Sequence, residues 1–522
     1  YMTQEQSARL LPQKPSRWAK ILLNRKVPIL LFFLLELAFL VFSYLSLQEH
    51  FPSIILWEHL LSVFTFFYLL NRSMDSRSKL SWVIIIALFP IFGTALLYFS
   101  LADLGVRRLK KRLEDATVQV SDYLSTDPEV ADYLSQSDRQ LQKLAYFLEH
   151  SPAQFPIYRD TEVTYFPLGD DMLPALLEDL KKAERYIFME YFIIQEGTMW
   201  NTILDVLEEK AKEGVDVRVI YDDMGCILTL PTGYEKTLRE KGIQCQIFNP
   251  FIPILSSHFN TRDHRKICVI DGNVGFTGGI NLADEYINEK EKHGHWKDTA
   301  VLLRGQGVQG LTEMFLELWQ FTCQEKLHLC DFLPNESFLA PGFVQPYGDS
   351  PLDSCNLAEN VYMQILNHAR DYVYITTPYL ILDNEMLSAL CLAAQSGVDV
   401  RIITPHVPDK WYVHMVTRSY YQQLLSAGVR IFEYTPGFIH AKMFVSDNTT
   451  AVVGTTNVDF RSFYLHFECG VAFYLSPMVA QVRDDILKTQ NICEEITLQK
   501  VRSVQAPVRL LRSLLRAFAP LM

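Results

Sequence analysis

Two short patterns place a histidine and a lysine two residues apart: His264-Arg265-Lys266 and His440-Ala441-Lys442. Each is followed after four residues by an aspartate, Asp271 or Asp447, and after six more by G-x-x-N, ending at Asn281 and Asn457. On a strand, residues i and i+2 project from one face, so each histidine shares a face with its lysine. A lone H-x-K arises by chance in many chains. The whole pattern, occurring twice at matching places, specifies a site.

A phosphodiester is the natural substrate for such a face. Two ammonium groups, with the amides of Asn281 and Asn457, would hold the non-bridging oxygens and stabilise the charge that builds in the transition state. That arrangement calls for no metal and no other cofactor. One imidazole attacks phosphorus to form a covalent phosphohistidine, and the other protonates the departing alkoxide. Asp271 and Asp447 complete the motif and are counted with the catalytic set.

A nucleophilic imidazole must be neutral at its attacking nitrogen, with the proton on the opposite nitrogen held by an acceptor. Asp298 and Glu468 lie 34 and 28 residues downstream of the histidines of their own copies and are expected to orient the rings. Other candidates are weaker. His293-Gly-His295 lacks further metal ligands nearby and reads as a solvated loop; Asp222-Asp223 reads at least as well as a helix cap as a carboxylate pair. Gly278-Gly279 fits no nucleotide-binding loop.

Behind these residues stands an internal repeat. From residue 156 onward, β-rich runs alternate with amphipathic helical runs, which indicates α/β organisation. RYIFMEYFII and AKEGVDVRVIYDD in the first copy answer DYVYITTPYLI and AAQSGVDVRIITPH in the second, and GVDVR recurs at 214–218 and 397–401. Two copies of one unit with one polar signature imply a pseudo-symmetric pair sharing a single site.

The chain has 522 residues and a net charge of −12, too long for one domain and too acidic overall for a general nucleic-acid binder. That total hides a partition. Residues 1–113 carry +8 and the remainder −20. The nine cysteines form no CxxC pair and read as buried free thiols. Within 1–113 are three apolar stretches, Val27–Leu47, Ser53–Leu70 and Ser81–Leu101. The first and third have the roughly 20 residues a crossing needs, whereas Glu58 and His59 interrupt the second. Basic clusters precede the first stretch, separate the second from the third, and follow the third at Arg107–Arg112. Two crossings would place the N-terminus and the catalytic part together on the cytoplasmic side.

At these residues the chain resembles the phospholipase D superfamily and, within it, the bacterial cardiolipin synthases. The resemblance rests on SKLSWVIIIALFPIFGTALLYFS, NTRDHRKICVIDGNVGFTGGINLADEY, SYYQQLLSAGVRIFEYTPGFIHAK and VGTTNVDFRSF. It departs at Thr456, where alanine is expected, and at His466, where asparagine is usual. It implies a fold of two pseudo-symmetric phospholipase D-like α/β/α sandwich domains forming one active site, preceded by transmembrane helices. The corresponding division is a membrane anchor at 1–113, a helical linker at 114–155, the two domains at 156–335 and 336–500, and a basic amphipathic segment at 501–522. It implies an enzyme of the cell membrane that turns two phosphatidylglycerol molecules into cardiolipin and glycerol, with His264 as nucleophile and His440 as acid.

Its partners are then phosphatidylglycerol and the bilayer, with no nucleic acid; homo-oligomerisation is left open. A hydrolytic phospholipase D or other phosphatidyltransferase and a non-catalytic membrane scaffold that binds anionic lipid are the alternatives, and intact histidines and lysines in both copies argue against the scaffold. The phrases FNPFIPIL and FEYTPGFI before the histidines are expected to line the site mouth or to fill the core. The last segment, VRLLRSLLRAFAPLM, is expected to lie on an anionic bilayer or to dock on the protein itself.

Overall fold

The computed structural model describes residues 38, 41–42, 45–46, 54–72, 74–101, 109–116, 127–250, 261–323, 325–353 and 355–521. Most of the first apolar stretch, the cluster at Arg107 and Arg108, and most of FNPFIPIL lie outside the described residues.

Among the described residues, the apolar N-terminal region includes the helices α1 (Ile54–Leu70), α2 (Ser76–Leu88) and α3 (Pro90–Leu101). The second stretch is thus a single helix running through Glu58 and His59. The third, long enough for a crossing, is broken into two helices. Pro90 has no N–H to continue the helix, and the chain reverses so sharply that a Cβ on Gly93 would lie 2.9 Å from the Ile85 carbonyl oxygen. At 1.5 Å per residue its arms of 13 and 12 residues each reach only about 20 Å. Among the described residues, no helix is both long and apolar enough to cross a membrane.

The catalytic part contains two mixed sheets, each flanked by helices in an α/β/α sandwich. The first has seven strands: β1 (Thr161–Phe166), β2 (Tyr186–Tyr191), β3 (Asp216–Asp222), β4 (Gln244–Phe248), β5 (Lys266–Ile270), β6 (Val274–Gly278) and β7 (Ala300–Gly305), in the order β1-β7-β6-β5-β2-β3-β4. The second comprises β8 (Phe343–Asp349), β9 (Tyr372–Thr376), β10 (Asp399–Pro405), β11 (Arg430–Tyr434), β12 (Met443–Ser446), β13 (Thr450–Gly454), β14 (His466–Tyr474) and β15 (Cys493–Ile496). Their order, β8-β14-β13-β12-β9-β10-β11-β15, repeats that of the first sheet with one strand added. The central strands β2 and β5 are buried along their whole length, as a sheet covered on both faces requires.

Helix α4 (Val308–Cys323), buried from Leu311 to Phe321, joins the halves by packing on the first sheet and on β8. Two short parallel pairings also cross between halves. Arg262–Asp263 pairs with His466–Phe467, and Gly437–Ile439 pairs with His295–Lys297. His295 therefore belongs to a strand rather than to a solvated loop. All nine cysteines are free, but only Cys226, Cys245, Cys268 and Cys469 are buried and Cys330 is exposed.

Candidate active site

The inter-half pairings set the site. Parallel registry places Arg262 opposite His466 and Asp263 opposite Phe467, so one residue further His264 meets Glu468. On the other side, Phe438 is opposite Trp296 and Ile439 opposite Lys297, so His440 meets Asp298. Backbone bonds lock both registers: His264 N–H donates to Phe467 O at 2.9 Å and His440 N–H to Lys297 O at 2.7 Å.

The carboxylates are therefore exchanged between copies. His264 Nδ1 lies 3.0 and 2.9 Å from the two oxygens of Glu468, and His440 Nδ1 lies 2.6 Å from Asp298 Oδ2. Expectation had paired each histidine with the acid of its own copy; the crossing strands reverse that. Both carboxylates are themselves fixed. Thr455 Oγ1 donates to Glu468 Oε2 at 2.5 Å, and Asp298 Oδ1 accepts from Thr299 N–H at 2.8 Å. In the first copy Gly279 stands where the second has Thr455, and a Cβ there would lie 2.0 Å from Asp298 Oδ1.

Both histidines face one cavity of about 550 Å³, whose lining includes Arg262, Tyr286, Trp296, Tyr379, Asn457, Arg461 and His466. Phe192 meets the His264 ring edge-on at 5.0 Å, and Tyr286 meets the His440 ring at 5.5 Å. The lysines are buried beside their histidines. Lys266 Nζ donates to His264 O at 2.5 Å; Lys442 Nζ donates to His440 O and lies 2.8 Å from His440 Nδ1.

Burial, then the charges of Lys266 and Lys442, hold His264 well below the usual histidine range. Burial and Lys442 hold His440 down to about 4. Burial lowers Lys266 and brings Lys442 down to about 7. Asp298 is buried, yet Lys442 and His440 outweigh the desolvation and keep it below its ordinary value. At neutral pH both rings are neutral, and a carboxylate accepts a hydrogen bond from each Nδ1–H, which leaves Nε2 without a proton as the reactive nitrogen.

Several expected residues serve otherwise. Asp271 and Asp447 do not line the cavity. Asp271 lies at the far end of β5, about 16 Å along the strand from Lys266, and accepts from the N–H groups of Glu184, Arg185 and Tyr186. Asp447 does the same for Arg370, Asp371 and Tyr372 and borders a separate depression of about 140 Å³. Both occupy left-handed positions, φ 54° and 52°, of tight hairpin turns. Asp271-Gly272 is a hairpin signature readable from sequence.

The asparagines differ as well. Asn281 uses its amide on Ile193 N–H and Tyr286 OH. The Oδ1 of Asn457 is buried with no hydrogen-bond partner. Asp222 caps the turn at Gly225 and also accepts from Asp263 N–H, in agreement with the capping alternative.

Arg265, the residue between His264 and Lys266, points the other way. Its Nε donates to Glu468 O at 3.3 Å, and its guanidinium lies 3.7 Å from Glu317 and 3.9 Å from Glu190. His466 extends the site: its ring lies 5.4 Å from that of His264, and Arg461 Nε is 3.4 Å from its Nε2. His264, His466 and Glu468 offer three ligand atoms within 4.8 Å of one another. The ammonium groups of Lys266 and Lys442, which already depress His264, set a positive field against a cation there.

The family model described as cardiolipin synthase, PLD-like domain, matches residues 176–319 and 362–489. The chain belongs to that family. A second model, phospholipase D-nuclease N-terminal, matches residues 60–100. The cardiolipin synthase of Geobacillus kaustophilus is 33% identical over 90% of this chain and 94% of its own. Cardiolipin synthase 2 of Bacillus anthracis is 33% identical over 87% and 88%. An uncharacterised protein of Streptococcus mutans is 45% identical over 87% of this chain and 99% of its own. The fold is that of the phosphatidylserine synthase of Haemophilus influenzae, with a TM-score of 0.56 at 14% identity over 73% of this chain and 97% of that one. The cardiolipin synthase family thus accounts for both halves and for the apolar N-terminal helices, and makes this chain a phosphatidyltransferase of the phospholipase D superfamily.

Proposed function

We propose that the protein transfers a phosphatidyl group from one phosphatidylglycerol to another, giving cardiolipin and glycerol. The observation that carries this reading is the crosswise pairing of His264 with Glu468 and of His440 with Asp298 around one cavity. It leaves two imidazole Nε2 atoms, one from each half, to act on a single phosphodiester.

His264 Nε2 attacks phosphorus while Glu468 holds the Nδ1 proton, and the phosphorus–oxygen bond to glycerol breaks. His440 supplies the proton to the departing glycerol oxygen and, now neutral, takes a proton from the incoming hydroxyl of the second phosphatidylglycerol. That oxygen displaces His264 from phosphorus. A bound phosphodiester anion offsets the ammonium charges that depress His440 and so raises its proton affinity for the acid step. Lys266 and Lys442 stabilise the pentacoordinate charge. Asp271 and Asp447 support these strands through their turns and take no part in proton transfer.

The apolar helices α1 to α3 fit an enzyme held at the cell membrane, with its catalytic part on the cytoplasmic side. Incubation of the purified full chain with phosphatidylglycerol in vesicles tests the proposal. Cardiolipin and glycerol in equal amounts are expected; phosphatidic acid as the main product would show hydrolysis instead.

A further inference from the structure

Helix α6 (Ala506–Ala517) is amphipathic but docks the unexpected way round. Its inner face, Val508, Arg512, Leu515 and Arg516, packs on α5 (Trp411–Ala427). The Arg516 guanidinium stacks 4.0 Å from the Tyr420 ring and donates to Ser419 O at 3.3 Å. Leu510, Leu511 and Leu514 are left facing out, 63%, 40% and 54% exposed. Arg516 gains these contacts, but the three outward leucines gain nothing from their exposure to water.

Three observations say what covers this face. Immediately beyond α6, Ala519 lines the active-site cavity, as do Lys410 and Tyr412 at the start of α5. Between them Trp411 is 63% exposed, and its ring meets that of Tyr412 edge-on at 5.9 Å. The leucine face and an aromatic pair suited to the lipid–water boundary thus flank the mouth of the site. Second, residues 500–522 carry no acid, and Arg502 and Arg509 are exposed, which complements anionic headgroups. Third, Ser81 Oγ donates to Ala517 O at 2.7 Å, and the sequence runs on from Ser81 directly into the third apolar stretch.

We infer that α6 and the Trp411-Tyr412 corner form an interfacial collar that seats the cavity mouth on an anionic bilayer, so that lipid headgroups enter the site without leaving the membrane surface. The inference rests on the phosphatidylglycerol reading. The leucines enter the acyl boundary, and Arg509 and Arg502 remain at headgroup level.

The test compares the full-length wild type with the triple variant Leu510→Gln, Leu511→Gln, Leu514→Gln on two forms of one substrate. With phosphatidylglycerol in vesicles, the variant should lose roughly tenfold or more in rate, since three leucines leave the acyl region. With short-chain phosphatidylglycerol below its micelle concentration, it should stay within about twofold of wild type. Equal rates in both assays, or a parallel loss in both, would overturn the collar. A second measurement needs no turnover. In vesicles of phosphatidylglycerol and phosphatidylethanolamine with brominated acyl chains, the fluorescence that disappears in Trp411→Phe should be the strongly quenched fraction; if it is unquenched, the collar is wrong. Absence of cardiolipin from the wild type would defeat the activity reading and leave the quenching result to judge the collar.

Discussion

At the scale of single residues, the site is a pair of histidines whose reactive nitrogens are defined by carboxylates from the opposite half. His264→Ala and His440→Ala should each remove turnover of phosphatidylglycerol by roughly 10³-fold or more, measured as cardiolipin formed. The crosswise pairing makes a sharper prediction. Glu468→Gln should behave as a defect of His264 and Asp298→Asn as a defect of His440, each slowing turnover roughly 10²–10⁴-fold. With a phosphodiester lipid whose leaving group needs no proton, Asp298→Asn should keep the release burst and Glu468→Gln should lose it. The pH profile follows from the same burial. His264 sits well below its usual range and stays neutral, so kcat/KM should show no acid limb from the nucleophile between pH 8 and about 6. Lys442, held down to about 7, loses its charge as pH rises, so an alkaline limb is expected near that pH and should move upward in Lys442→Arg. The histidines and lysines of this cluster stand in the repeated motif, and Asp298 and Glu468 are legible only as acids downstream of it. The partner of each histidine was not, because spacing along the chain carries no information about which strands cross between halves.

At the scale of elements, two pairs of short parallel strands do the positioning, and two hairpin turns hold the strands that carry the lysines. Asp271 and Asp447 each gather three backbone N–H groups from the start of the neighbouring strand. Asp271→Asn should therefore lower the melting temperature, by a stability loss of about 1–3 kcal/mol, with kcat/KM per folded molecule largely kept. A loss of turnover without loss of stability would return Asp271 to the chemistry. The β-rich runs, the helices between them and the repeat were readable from periodicity, but the two-residue strand at Arg262–Asp263 is too short to leave a pattern. The break at Pro90 was present as a residue, and the contact of Gly93 with the preceding helix shows how tight the reversal is.

At the scale of the whole molecule, two sheets of one topology lend each other the acid that each histidine needs, so neither half holds a working site alone. The same burial affects stability. His466, buried and held at about 3 against 6.5 for an unfolded chain, cannot take the proton that the unfolded state takes as pH falls below 6.5. Wild type should thus lose stability on the acid side relative to His466→Asn, by about 1–2 kcal/mol at pH 5, and the gap should close by pH 7.5; thermal melts at several pH values would show it. The shared site was implied by duplication alone, whereas the inverted docking of α6 depends on what Tyr420 offers to Arg516 and had no sequence signal. In the proposed reaction one phosphodiester is passed through His264, with His440 as its acid and base. Trapping tests it most directly. His440→Ala, given a phosphatidyl ester with a p-nitrophenol leaving group and quenched in alkali, should release one equivalent of p-nitrophenol and carry the phosphatidyl group on His264; modification of another residue, or a burst that survives in His264→Ala, would contradict the account.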